Sequence, residues 1–172
     1  ILLHIAHQGG SQIGTSLQVL VQTKKRKFKD KTKRYIPFGG SYKRGDWSYA
    51  LHLADLNNDK RKDLVVQSKS PLKASGGVVT PPRVFLQQKN KQFKPVPASY
   101  LTGKHNWQLM GIQPVDIDGD GKLDIVVTNG ACFGCAPNGI SVLRNISTAS
   151  DIRFEYDYSK FYYYESNNYP SI

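Results

Sequence analysis

Acidic residues are scarce in this chain. Thirteen Asp and Glu stand against 24 Lys and Arg, a net charge of +11 over 172 residues. Sulfur is scarcer still: two Cys and one Met, too few for a disulfide-dense scaffold or a Met-rich groove. No apolar run approaches the roughly 18 residues needed to span a bilayer. No amino-terminal block has the basic-then-apolar pattern of a signal peptide, and residue 1 is Ile. No window of a dozen residues pairs a 3.6-residue apolar period with helix caps. Catalytic signatures are missing too: there is no G-x-S-x-G, no H-E-x-x-H and no phosphate-binding Gly loop. The sequence therefore reads as a binding protein rather than an enzyme. With 39% hydrophobic residues it is globular, of about one domain.

The positive charge is concentrated. Between residues 24 and 34, Lys24, Lys25, Arg26, Lys27, Lys29, Lys31, Lys33 and Arg34 are offset only by Asp30, so this run holds +7 of the total +11. Such a run is either a solvated hairpin tip or a patch for a polyanion: an acidic polysaccharide, an anionic membrane or nucleic acid. Nucleic acid is disfavoured by the acidic loops described next.

Two segments repeat. Residues 54–66 read ADLNNDKRKDLVV and residues 115–127 read VDIDGDGKLDIVV. Asp55 matches Asp116, and Trp47 and Trp107 precede the two loops. Downstream, the run from Arg83 to Gln87 resembles that from Ile140 to Arg144, and both resemble Leu17 to Val21. Phe28 and Phe93 follow Leu20 and Phe85 at equal spacing. In a third, incomplete copy, the residues from Ile1 to His4 take the place of those from Leu64 to Gln67. The chain thus begins in mid-motif, and a piece of a longer protein is expected. Three segments result: a partial copy over 1–45 with a basic hairpin at 24–34, a copy over 46–105 and a copy over 106–172 with a Tyr-rich tail.

Each copy reads as short strands bounded by Asp, Asn, Gly and Pro. Several strands per sixty residues suit a four-stranded antiparallel propeller blade. The expected fold is all-β, an incomplete β-propeller of two and a half to three blades, with Leu20, Phe85 and Val142 packing between them. Remaining blades would come from the rest of the chain or from other subunits.

The acidic loops carry the chemistry. Asp116, Asp118 and Asp120 alternate through a tight turn, Asp124 follows, and Gly119 and Gly121 let the backbone curl. With the main-chain carbonyl of Lys122, they offer hard oxygen donors suited to Ca2+. The equivalent set in the other loop is Asp55, Asn57, Asp59, Asp63 and the carbonyl of Arg61. An EF-hand is excluded, since no Glu stands at position 12 and the flanks are strand-like. Lys60, Arg61 and Lys62 offset the charge of the first loop, so the second is expected to bind more tightly.

The pattern D-x-[DN]-x-D-G-x-x-D before an apolar strand resembles the FG-GAP or VCBS repeat family. Asp116, Asp118, Asp120 and Asp124 match it fully; in the other loop Lys60 stands where Gly is usual. The resemblance implies an integrin-α-type β-propeller, extracellular or at the cell surface. It implies structural calcium, with a protein or glycan ligand bound by loops on one propeller face. Alternatives are a lectin-like propeller that uses exposed Tyr and the basic run, or an accessory part of a larger secreted, fibre-forming or enzymatic protein.

Three smaller motifs remain. Cys132 and Cys135 form a C-x-x-C without a second pair or a following His; a small-loop disulfide, free thiols or half a zinc site are open. Asn145-Ile146-Ser147 is a glycosylation sequon expected at the surface. The alternation from Phe154 to Tyr158 reads as a strand with one apolar face.

Overall fold

The computed structural model describes residues 2–7, 14–24, 26–37, 47–69, 82–102, 109–129, 139–148 and 151–163. Lys25, Trp107, Cys132 and Cys135 lie outside these residues. The first sheet comprises β1 (Leu2–His7), β2 (Gly14–Gln22) and β3 (Phe28–Asp30), and a one-turn helix α1 (Thr32–Tyr35) follows it. The second is a four-stranded meander of β4 (Trp47–Ala54), β5 (Asp63–Lys69), β6 (Arg83–Gln87) and β7 (Phe93–Pro95). A 3₁₀ turn (Ala98–Tyr100) and a two-residue strand β8 (Leu101–Thr102) lead to the third. That sheet contains β9 (Leu109–Val115), β10 (Asp124–Asn129), β11 (Gly139–Asn145) and β12 (Phe154–Tyr163). All pairings are antiparallel except one: β8 runs parallel to the start of β12, as a fifth strand on the outer edge.

The sheets stack face to face because β5, inside the middle sheet, is apolar on both sides. Successive residues of a strand point to opposite faces. On β5, Leu64 and Val66 pack with Phe85 and Phe93 against Leu17 and Ile36 of the first sheet's segment. Val65, with Ala54 and Val84, packs instead against Ile112, Ile125, Val127 and Leu143 of the third sheet. The innermost strands β4 and β9 lie side by side. This all-β stack of radial meanders is an incomplete β-propeller.

The registers also correct an alignment. Val65 pairs with Val84 and Val126 with Val142, so the counterpart of Phe85 is Leu143. Leu143 is the residue packed on the second sheet, whereas Val142 is buried on the opposite face. A shift of one residue exchanges the faces of a strand. Leu20 is the true counterpart of Phe85. It alternates with Leu17 and Val19, which pack on the second sheet, and so lies on the far face, half-buried.

The two seams are closed differently. Between sheets one and two, α1 acts as a plug. Asp30 Oδ1 accepts from Thr32 N at 2.8 Å and from Thr32 Oγ1 at 2.7 Å, and Thr32 Oγ1 accepts from Val19 N at 2.9 Å. These bonds turn the chain out of β3 and leave Ile36 fully buried in the seam. Between sheets two and three, the segment leading to β8 straps the outside. Tyr100, the last residue of its 3₁₀ turn, is buried edge-on to Phe154 with ring centroids 6.0 Å apart, and donates its hydroxyl to the Pro82 carbonyl. Burial pushes the Tyr100 phenol well above its usual range.

The aromatic tail is the strand its alternation predicts. Phe154 and Tyr156 are buried against the second sheet while Glu155 is exposed. Tyr156 donates to Ser141 Oγ at 2.9 Å and is only 3% exposed, so its ring is not available to stack on a sugar.

Candidate metal centre

The two acidic loops join the inner strand of a sheet to the next strand, β4 to β5 and β9 to β10. Both share one backbone path. Asn58 and Lys60 have φ of 58° and 67°; Gly119 and Gly121, at the same loop positions, have φ of 78° and 82°. A side chain at positive φ costs about 1–2 kcal/mol. A Cβ on Gly121 would meet nothing within 4 Å, so only the backbone penalty applies. Gly121→Ala should therefore destabilise the metal-free protein by about 1 kcal/mol, and Lys60→Gly should not destabilise it. Denaturant midpoints measured in chelator check both; an unchanged midpoint for Gly121→Ala would contradict this backbone path.

The loops are wired by their first acid. Asp116 Oδ1 accepts from Gly119 N at 2.7 Å and Oδ2 from Gly121 N at 2.9 Å. Asp55 does the same with Asp59 N at 3.0 Å and Lys60 N at 2.7 Å. These bonds draw the turn inward and aim the next acids at its centre. In the second loop, oxygens of Asp116, Asp118 and Asp120 come within 4.8 Å of one another. Among the described residues this is the one such carboxylate group. Three hard oxygen donors at this spacing fit a divalent cation such as Ca2+, which would cancel their mutual repulsion. The cluster is half to fully exposed and partly offset. Lys122 Nζ lies 3.6 Å from Asp120, and Arg144 lies 3.4 Å from Asp118 and 3.8 Å from Asp157.

The first loop forms no such group. Arg61 pairs with Asp59 through its guanidinium and donates Nε–H to the Gln87 carbonyl at 2.8 Å. Asn57 donates to Asp59 Oδ2 at 3.0 Å. Here an internal cation faces the acid that a metal would need.

Asp124 and Asp63 belong to no such group. Both oxygens of Asp124 accept backbone N–H, from Ile117 at 3.2 Å and Asn145 at 2.7 Å. Asp63 accepts from Leu56 at 3.0 Å and Gln87 at 2.8 Å. Each is buried and braces its loop to the neighbouring strand. Burial raises both carboxyls above the usual range, Asp63 to about 6, against the pull of those N–H donors.

Asn145 is not the surface acceptor its sequon suggests. It is 1% exposed. Its Nδ2 donates to the carbonyls of Leu56 and Leu123, both at 2.9 Å, and its Oδ1 accepts from Ser147 N at 3.0 Å. Leu56 lies in the first acidic loop and Leu123 in the second, so one side chain ties the two together. Asn58 adds a direct bond to the Gly121 carbonyl at 3.2 Å. Asn58 and Arg144 are the site residues that spacing did not single out, and the sequon marked Asn145 for a different role. The signal for Asn145 was its place at the end of the strand that pairs with β10.

A family model described as FG-GAP-like repeat matches residues 75–127. The match is out of phase with the sheets: its described part holds β6 and β7 of the second sheet and β9, β10 and the second acidic loop of the third. No curated protein and no solved structure shows significant similarity to the chain.

Proposed function

We propose that the chain is an extracellular calcium-binding propeller module that serves adhesion or ligand binding, with the cation structural rather than catalytic. The converging oxygens of Asp116, Asp118 and Asp120 carry this reading, and the FG-GAP-like match over 75–127 supports it. When bound, the cation neutralises the acids and stiffens the turn that feeds β10. Through Asn145 and Asn58 the same turn holds the loop of the neighbouring sheet. Few ligand charges, offset by Lys122 and Arg144, suit a weak site of roughly 0.1–1 mM, the range of extracellular modules. Further blades, from the same protein or from other subunits, would cover the trailing face of sheet three, where Ile140 is exposed.

Calorimetric titration with CaCl2 and MgCl2 tests the reading. One calcium site in the sub-millimolar to millimolar range is expected, with weaker magnesium binding, because Mg2+ sheds water reluctantly and demands octahedral geometry. Absence of calcium binding at 10 mM, roughly ten times the weakest expected constant, would remove the proposal.

A further inference from the structure

The basic run is not a loose tip. Its described bases are all exposed, yet the backbone of its second half is pinned at both ends of α1. Thr32 and Asp30 fix the start of α1, and Ile36 anchors its end in the seam with Phe93. The seam brings a second basic segment alongside. Gln92 Nε2 donates to the Arg34 carbonyl at 3.1 Å, which places α1 against the β6–β7 turn. That turn carries Lys89 and Lys91, both exposed. The one acid in the run, Asp30, is engaged by Thr32 and by Gln18 Nε2 at 2.7 Å, which hold its carboxyl down at about 2. Among the described residues, no ion pair involves any of these bases.

We propose that the outer rim across the first two sheets binds a linear acidic polysaccharide, through Lys29, Lys31, Lys33 and Arg34 of one sheet's segment and Lys89 and Lys91 of the next. β3 and β7 are the outermost strands of their sheets, so the track follows an outer edge rather than a flat face. A flexible polyanion can follow such an edge. A duplex nucleic acid, stiff over about 150 base pairs, cannot, and a planar bilayer meets it along a line. Charge carried mostly by Lys, five of the six bases, suits repeated sulfate or carboxylate groups read as point charges. Lys29 on an edge strand also discourages strand addition, but α1 and the β6–β7 turn lie off the strands, so that role does not account for their bases. A pinned backbone lowers the ordering cost of binding. The track is independent of the acidic loops and does not rest on the calcium reading.

The test is fluorescence anisotropy of a labelled heparin dodecasaccharide with the full chain, from 50 to 300 mM NaCl, salts chosen to bracket the screening length of about 10 Å. Lys31→Glu/Lys33→Glu and Lys89→Glu/Lys91→Glu should each weaken binding on the order of tenfold and flatten the salt dependence by roughly one to two powers. Arg153→Glu, on the third sheet, should change binding by less than about twofold. The replaced side chains are exposed, so thermal unfolding should be unchanged; the Gln versions should show the same order of effects, reduced. A heparin tetrasaccharide should bind more weakly than the dodecasaccharide. The same constants in excess chelator keep this result separate from the metal reading. The proposal is overturned if the Lys89/Lys91 pair has no effect or if the tetrasaccharide binds equally well. It is also overturned if phosphatidylserine vesicles or single-stranded DNA bind more tightly at the same salt.

Discussion

Asn145→Ala should lower the free energy of unfolding by about 3 kcal/mol. The side chain is fully enclosed and makes three hydrogen bonds, donating two and accepting one. Truncation leaves the carbonyls of Leu56 and Leu123 and the N–H of Ser147 without that partner. Each buried polar group so stranded costs about 1–3 kcal/mol, and partial access of water at the loops brings the sum toward the lower end. Asn145→Asp should be worse, since it removes both donors and buries a charge near Asp124. Urea unfolding of both variants, with unchanged m-values, is the measurement. A loss below about 1 kcal/mol, within the range of an ordinary surface substitution, would mean that the tie between the loops does not hold the sheets.

Saturating calcium should raise stability by about 2.7 kcal/mol at one hundred times the dissociation constant, and Asp118→Asn should remove most of that gain. Asp118 separates the metal role from the structural one better than Asp116 does. Its Oδ1 accepts only the Asp120 N–H, at 3.2 Å, which the amide oxygen of Asn can still accept. The pair with Arg144 is partly exposed and worth at most about 1 kcal/mol. The metal-free variant should therefore unfold close to the parent. Asp59→Asn should leave the calcium gain intact, because Arg61 already faces that carboxylate. Thermal and urea unfolding in calcium and in chelator give all four quantities. Equal gains in the parent and Asp118→Asn would place the ion elsewhere.

The strands and both acidic turns could be read from the sequence because their signals are local. Aliphatic runs rich in β-branched residues, at Leu64-Val65-Val66 and Ile125-Val126-Val127, are bracketed by Asp, Asn and Gly, and the offset between Asp55 and Asp116 sets the period. What escaped was decided across space. Ser141, Val142 and Leu143 are all compatible with burial, so composition could not say which faces the second sheet; the bond from Asn145 N to Asp124 fixes it. Spacing makes Asp124 look like a ligand, yet it cannot show that each of its oxygens also accepts a backbone N–H. The sequon pattern at Asn145 carries no information about burial. Helix α1 is a single turn inside a run of Lys, held by Thr32 and Ile36 rather than by any period, and β8 has only two residues.

The unequal seams set an order of disassembly. The seam between sheets two and three holds the larger buried cluster, the Tyr100 strap and the Asn145 tie. The seam between sheets one and two has a smaller cluster and the α1 plug. In a stack where each layer touches only its neighbours, stability is a sum of layer and contact terms. The first sheet is then the layer that peels away earliest, and the other two come apart together.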